Sequence, residues 1–243
     1  MESRPRRWYV LVRPDEKMPI ARLLTFLEQG ERLANECAKA QAALAPDFGS
    51  RRFLLSQARQ EAAHALVFQG AITWLAPRHL GDAPFLPALE EYRRLLNDAL
   101  VRQDLLETFL AEQVILEGLG EAILTRIEAG LAKRAAPFGR LRRILLQQEE
   151  AHHGFGRRML ERAMADGRIN TQTLRRCAQD YLALTDQMVL TLSGLFESIA
   201  EDPTAWANDV RKFLPEWLNQ PGHEAISCQP SATVGPEQLK AEY

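Results

Sequence analysis

A chain of 243 residues has the length of one domain with an appended tail, so a solitary small motif is excluded. Charged residues make up 26% and hydrophobic residues 46%, an ordinary globular mix that excludes disordered, collagenous and disulfide-scaffold classes. Thirty Lys and Arg against 32 Asp and Glu leave a net charge of -2, too weak a positive field to hold nucleic acid by electrostatics alone.

Cys37, Cys177 and Cys228 include no Cys-x-x-Cys pair, and an odd cysteine count fits neither a disulfide framework nor a zinc knuckle. The expected compartment is the reducing cytoplasm. The opening apolar run, Trp8 to Val12, is too short for a secretory signal, and no stretch approaches 18 uncharged apolar residues. A soluble, uncleaved protein without a membrane span is expected.

Residues 1–19 read as an extended N-terminal segment. Proline removes a backbone donor and clashes inside a helix, so proline-free stretches mark where helices can run. They cover 20–45, 47–76, 88–136 and 138–202, the last divided near Gly167 with Asn170 or Thr171 as a cap. The expectation is an all-α up-and-down bundle of long helices, with a crossover portion inside 88–136 and additional C-terminal helices. A short helix over 204–219, interrupted by Pro215, closes the helical domain at 20–219. Three prolines and two glycines among small polar residues predict a disordered tail over 220–243.

Two related pentapeptides stand inside this pattern. Gln60-Glu61-Ala62-Ala63-His64 lies in the second helix and Gln148-Glu149-Glu150-Ala151-His152 in the fourth. Residues three apart share a helix face, so each Glu-x-x-His pair presents a carboxylate and an imidazole to one point. Glu61 and His64 interrupt the apolar stripe Leu54, Ala58, Ala65, Phe68; Glu149 and His152 interrupt Leu145, Gly156, Met159. Carboxylates on an apolar face need a compensating charge, which a metal cation supplies.

Glu31 lies in the stripe Leu24, Leu27, Ala34, Ala38, and Glu117 follows Leu106, Leu110 and Val114. Two helices with a lone Glu and two with Glu-x-x-His form the ligand set of a dinuclear carboxylate site in a four-helix bundle. Four carboxylates and two imidazoles suit two divalent iron ions, with manganese accepted at one or both positions. Four negative charges balance two dications. In the fourth helix Glu150 and His153 offer an alternative register; the echo of the second helix favours Glu149 and His152.

At these residues the chain resembles the ferritin-like diiron carboxylate superfamily. His152 with Phe155 and Gly156, and His64 with Phe68, resemble the ligand helices of its small oxygenase branch, and length and ligand spacing are similar to those of aldehyde-deformylating oxygenases. The likeness covers roughly residues 20–160. It implies metal ligands Glu31, Glu61, His64, Glu117, Glu149 and His152, with Glu61 and Glu149 bridging. It implies dioxygen, a small and largely apolar substrate, and an external ferredoxin or flavin reductase. The family often places Asp before the ligand Glu as a histidine partner, whereas this chain has Gln60 and Gln148, which puts that role in question.

Other readings remain beside this one. A ferritin-type ferroxidase or iron-handling protein uses the same ligands. The arginines Arg140, Arg142, Arg143, Arg157, Arg158 and Arg162 read as a solvated face, but keep a tRNA-modifying diiron hydroxylase as an alternative. A metal-free bundle serving in binding or assembly is a third class. A homodimer is the expected oligomer, His79 and His223 read as loop residues, and Cys37 as a small buried hydrophobe. Glu112 and Glu121 read as solvated groups or as partners of the ligands, and Tyr181, Asp186 and Met188 as core or surface positions.

Overall fold

The computed structural model describes residues 12–76, 83–134, 136, 138–198 and 202–219. His79, His223, Cys228, the expected tail over 220–243 and most of the expected N-terminal segment fall outside them. Among the described residues there are helices and no strands, as the sequence pattern predicts.

Helices α1 (Lys17–Leu44) and α2 (Phe48–Leu75) form a long antiparallel hairpin joined by a tight connection. Asp47 ends that connection by accepting a hydrogen bond from the Ser50 backbone N–H at 2.8 Å, capping α2. α1 begins before the expected Ile20 and runs through Pro19, because a proline in the first turn has no intrahelical N–H to lose.

The expected long stretch over 88–136 is divided. α3 (Leu86–Val101) is the crossover, again with proline in its first turn, and it ends in a turn where Gln103 adopts a positive φ of 59°. No glycine or proline announced that break. Asp104 then caps α4 (Leu105–Phe109), which passes into a π-helical stretch at Leu110–Leu116 and on into α5 (Glu117–Lys133). Every residue from Thr108 to Leu119 is buried, so this rod is the centre of the molecule rather than one of its faces.

α6 (Gly139–Ala165) pairs with α5, then turns at Gly167, whose φ is +69°. Asn170 caps α7 (Thr171–Thr191), which lies against α3 and the π-helical stretch. α8 (Ser193–Ser198) follows sooner than the expected single helix to 202. α9 (Pro203–Phe213) packs on α5, and α10 (Glu216–Asn219) begins after Pro215, as its position predicts.

The core joins α1, α2, α5 and α6 with the crossover. Tyr92, Phe85, Phe109, Leu54 and Ile115 are among its fully buried side chains, each stabilising the fold by about 1.5–3 kcal/mol through removal from water. The Tyr92 hydroxyl donates to the Ala111 carbonyl, giving the irregular π-helical backbone a side-chain partner. Phe53 stacks on Phe155 at 4.1 Å and meets His152 edge-on, bringing aromatic packing up to the polar centre.

Candidate metal centre

The six residues singled out by spacing converge at the middle of the bundle. Glu31 comes from α1, Glu61 and His64 from α2, Glu117 from the start of α5, and Glu149 and His152 from α6. All six are buried. Donor atoms of Glu31, Glu61, His64 and Glu149 lie within 4.8 Å of one another, and so do those of Glu61, Glu117, Glu149 and His152. The two groups share Glu61 and Glu149. Each therefore has one private carboxylate, one imidazole and two common carboxylates, a donor set that would suit two neighbouring cations.

His64 Nδ1 lies 2.9 Å from Glu149, 3.1 Å from Glu61 and 3.3 Å from Glu31; His152 Nδ1 lies 2.7 Å from Glu61 Oε1. The outer nitrogens are occupied crosswise. His64 Nε2 sits 2.8 Å from Gln148 Oε1, and His152 Nε2 sits 2.7 Å from Gln60 Oε1. An amide oxygen accepts, so each Nε2 donates its N–H to a glutamine and each Nδ1 faces the carboxylates. The glutamines thus take the orienting role that the sequence left in question, each serving the histidine of the opposite helix.

The alternative register does not enter this cluster. Glu150 is exposed, and His153 turns to Glu121, its Nδ1 2.8 Å from the Glu121 carboxylate. The basic residues of α6 lie mostly outward, and Arg142 is ion-paired to Glu128. Cys37 is buried as expected. Tyr181 is buried with its hydroxyl donating to Glu107 at 3.0 Å, Met188 is buried, and Asp186 faces Arg211 on the surface.

Burial pushes the Glu31 and Glu117 carboxyls well above the ordinary carboxylate range, reinforced by the neighbouring charges of Glu149 and Glu61. Burial acts on Glu61 in the same sense, but the His152 and His64 imidazoles outweigh it and hold that carboxyl low. Burial would lower His64, yet contact with Glu149, Glu31 and Glu61 drives it far up. The centre thus places raised carboxyls beside a carboxylate held ionised by two imidazoles. Both Glu61 oxygens, Glu149 Oε1 and His152 Nδ1 are buried with no aligned hydrogen-bond partner among the described residues. Such atoms cost about 1–3 kcal/mol each when left unpaired, more if charged, and cations among them remove that cost. The donor set fits two divalent metals.

Two features escaped the sequence. Glu112 is fully buried, which excludes the solvated reading and leaves that of a partner to the ligands, though how it reaches them is not legible in the sequence, and burial pushes its carboxyl well up. Gln57 Nε2 donates to Glu112 at 2.9 Å and to Glu117 at 3.0 Å, while Gln57 Oε1 accepts from Gln113, itself paired with Gln41. Gln57 lies four residues before Glu61 on the same face, a signal available in the sequence. Glu112 had none, since residues five apart in an α-helix point about 140° away from each other.

Two cavities lie in the bundle, the smaller one against the cluster and the larger one further along the same helices. One, of 340 Å³, is predominantly apolar and lined by Ile20, Leu24, Phe68, Leu124, Leu131 and Leu145 among others. Leu24 precedes Glu31, Phe68 follows His64, Leu124 follows Glu117 and Leu145 precedes Glu149, so on all four antiparallel helices the lining lies to the same side of the cluster. Spacings of four and seven residues put it about 6–11 Å away along the helix axes. The ion pair between Glu16 and Arg134, at 3.0 Å, stands at its margin. The second cavity is only 30 Å³, touches Glu31, Glu117 and Glu149, and has Gly30 and Gly120 in its wall.

A solved structure with this architecture offers a comparison. Protein 19 with aldehyde deformylating oxidase activity from Synechococcus superposes with a TM-score of 0.71, covering 87% of this chain and 93% of that one at 20% sequence identity. The fold is therefore the ferritin-like helical bundle. No protein-family model matches the chain, and no curated protein matches it. No helix among the described residues is long and apolar enough to cross a membrane.

Proposed function

We propose that this chain is a dinuclear iron carboxylate oxidoreductase that uses dioxygen to oxidise a small, largely apolar substrate. The observation that carries the reading is the pair of donor groups sharing Glu61 and Glu149, with an apolar cavity about one to two turns further along the same helices. Glu31, Glu61, His64 and Glu149 would hold one iron, and Glu117, Glu149, His152 and Glu61 the other; the same donors accept manganese. Bound as a pair, the metals supply the electron transfer to dioxygen that protein side chains cannot perform.

The remaining work belongs to the chain. Gln60 and Gln148 keep the ring protons on Nε2, which fixes both imidazoles with Nδ1 inward. Leu24, Phe68, Leu124 and Leu145 exclude water and align an extended apolar substrate with the cluster. The small cavity against Glu31, Glu117 and Glu149 has room for a molecule of about the size of water or dioxygen. Electrons come from outside, from a ferredoxin or flavin reductase, and the helical domain over 20–219 acts as the functional unit. The aldehyde chemistry of the Synechococcus protein makes medium-chain aldehydes the first substrates to try.

The test is anaerobic loading with iron(II), metal analysis, and then oxygen consumption with a chemical reductant in the presence and absence of aliphatic aldehydes. Two irons per chain and aldehyde-dependent oxygen uptake with an oxidised product support the reading. Oxygen uptake that only converts iron(II) to mineral in a large shell supports iron handling instead. Fewer than about half a metal per chain rejects the centre.

A further inference from the structure

Glu112 has no part in the six-residue donor set, yet it is 0% exposed, its Oε2 atom is buried without a hydrogen-bond partner, and it is on the same rod as Glu117. The π-helical stretch explains its place. The Glu117 backbone N–H bonds to the Glu112 carbonyl, so the two residues are one π turn apart and share a face that α-helical geometry would deny them. Gln57 Nε2 then reaches both carboxylates, at 2.9 and 3.0 Å, and holds them side by side.

We propose that Glu112 is a seventh donor of the metal centre, an alternate to Glu117 for the cation on the α5 and α6 side. This rests on the dinuclear reading above. Four ionised carboxylates already balance two dications, so Glu112 and Glu117 take turns: while one binds the metal, the other stays against Gln57. The unpaired Oε2 is the atom offered. An insertion in the helix register that costs regular hydrogen bonding is retained where it delivers a side chain, and here it delivers this one.

Manganese(II) titration of the whole chain, followed by calorimetry and by electron paramagnetic resonance of bound and free ion, tests it without any turnover. The variants are Glu112→Gln, Glu117→Gln and the double variant, each checked for its thermal transition. Glu117→Gln is expected to keep two ions, with the second weakened about tenfold, whereas the double variant binds only one. Glu117→Gln and the double variant binding the second ion alike, whether both keep or both lose it, overturns the proposal. If the double variant does not fold, Glu112→Asp in the Glu117→Gln background replaces it; shortening the arm should then release the second ion, and unchanged affinity would refute the alternate role. A wild-type protein that binds no manganese or iron fails the dinuclear reading itself, a different result from either.

Discussion

Gln60 on α2 reaches across the bundle to His152 on α6, its Oε1 2.7 Å from the histidine Nε2. An amide in this position fixes the ring without adding charge, unlike a carboxylate, which would make the imidazole more basic. Gln60→Ala is therefore expected to weaken metal binding about 10–100-fold by freeing the ring, while leaving the thermal stability of the metal-free protein within about 1 kcal/mol. Metal-binding calorimetry compared with thermal melts of the metal-free chain checks this; a variant that binds metal as tightly as wild type would contradict the orienting role.

Metal binding should release protons. Glu31 and Glu117 have carboxyls raised by burial and His64 is raised by its carboxylate neighbours, so all three shift towards their protonated forms and cations that bind there displace protons. Calorimetry in buffers of different ionisation enthalpy should show net release, and affinity should rise with pH between about 6 and 8.

The same shifts set the stability of the metal-free protein. A carboxyl raised above its unfolded value of about 4.3, or a histidine raised above about 6.5, contributes stability that is complete below that value and lost as pH climbs towards the folded one. The lowered Glu61 acts oppositely and matters only in strong acid. Metal-free protein should therefore melt at lower temperature as pH is raised from 6 to 9, with a smaller change when metal is bound. Parallel melting curves with and without metal across that range would count against this charge arrangement.

Gly156 on α6 should resist any side chain. A Cβ there would come within 2.4 Å of the Gln113 Cβ and 3.4 Å of its backbone, inside the π-helical stretch. Gly156→Ala is expected to cost about 1–3 kcal/mol through overpacking and to weaken metal binding by pushing α6 away from the rod that carries Glu117. Thermal melts and metal titration together check it, with Gly70→Ala on the exposed face of α2, where a Cβ meets nothing within 4 Å, as the control.

The apolar cavity predicts a length-dependent effect. Ala71 lines it from α2, and Ala71→Phe fills part of its 340 Å³ while leaving every donor atom in place. Two metals should still bind, and KM for longer aliphatic substrates should rise at least several-fold more than for short ones. Equal loss across chain lengths would mean that the substrate lies elsewhere.

Much of the candidate centre was legible because a buried polar cluster on helices obeys two periods at once. Apolar stripes such as Leu54, Ala58, Ala65 and Phe68 fix which face is inside, and Glu61 and His64 then stand out as polar residues on that face. Glu31 and Glu117 followed from the same logic. What stayed hidden broke the α-helical period. Gln103 turns the chain with a positive φ and no glycine, and the π-helical stretch rotates Glu112 inward by an insertion that leaves no trace in composition. The partnership of each glutamine with the histidine of the other helix was also beyond reach, because it is a property of how two hairpins face each other.

That facing has a mechanical corollary. α1 and α2 run together along their whole length, but α2 and α6 approach each other much less closely, and the imidazole–amide crossings and shared carboxylates lie where they do. Bound ions would act as rivets between otherwise loosely joined halves. Chelation should then splay the seam along which the apolar cavity runs, so that loss of the metal and exposure of the lining to solvent, followed by amide exchange in α2 and α6, become a single event.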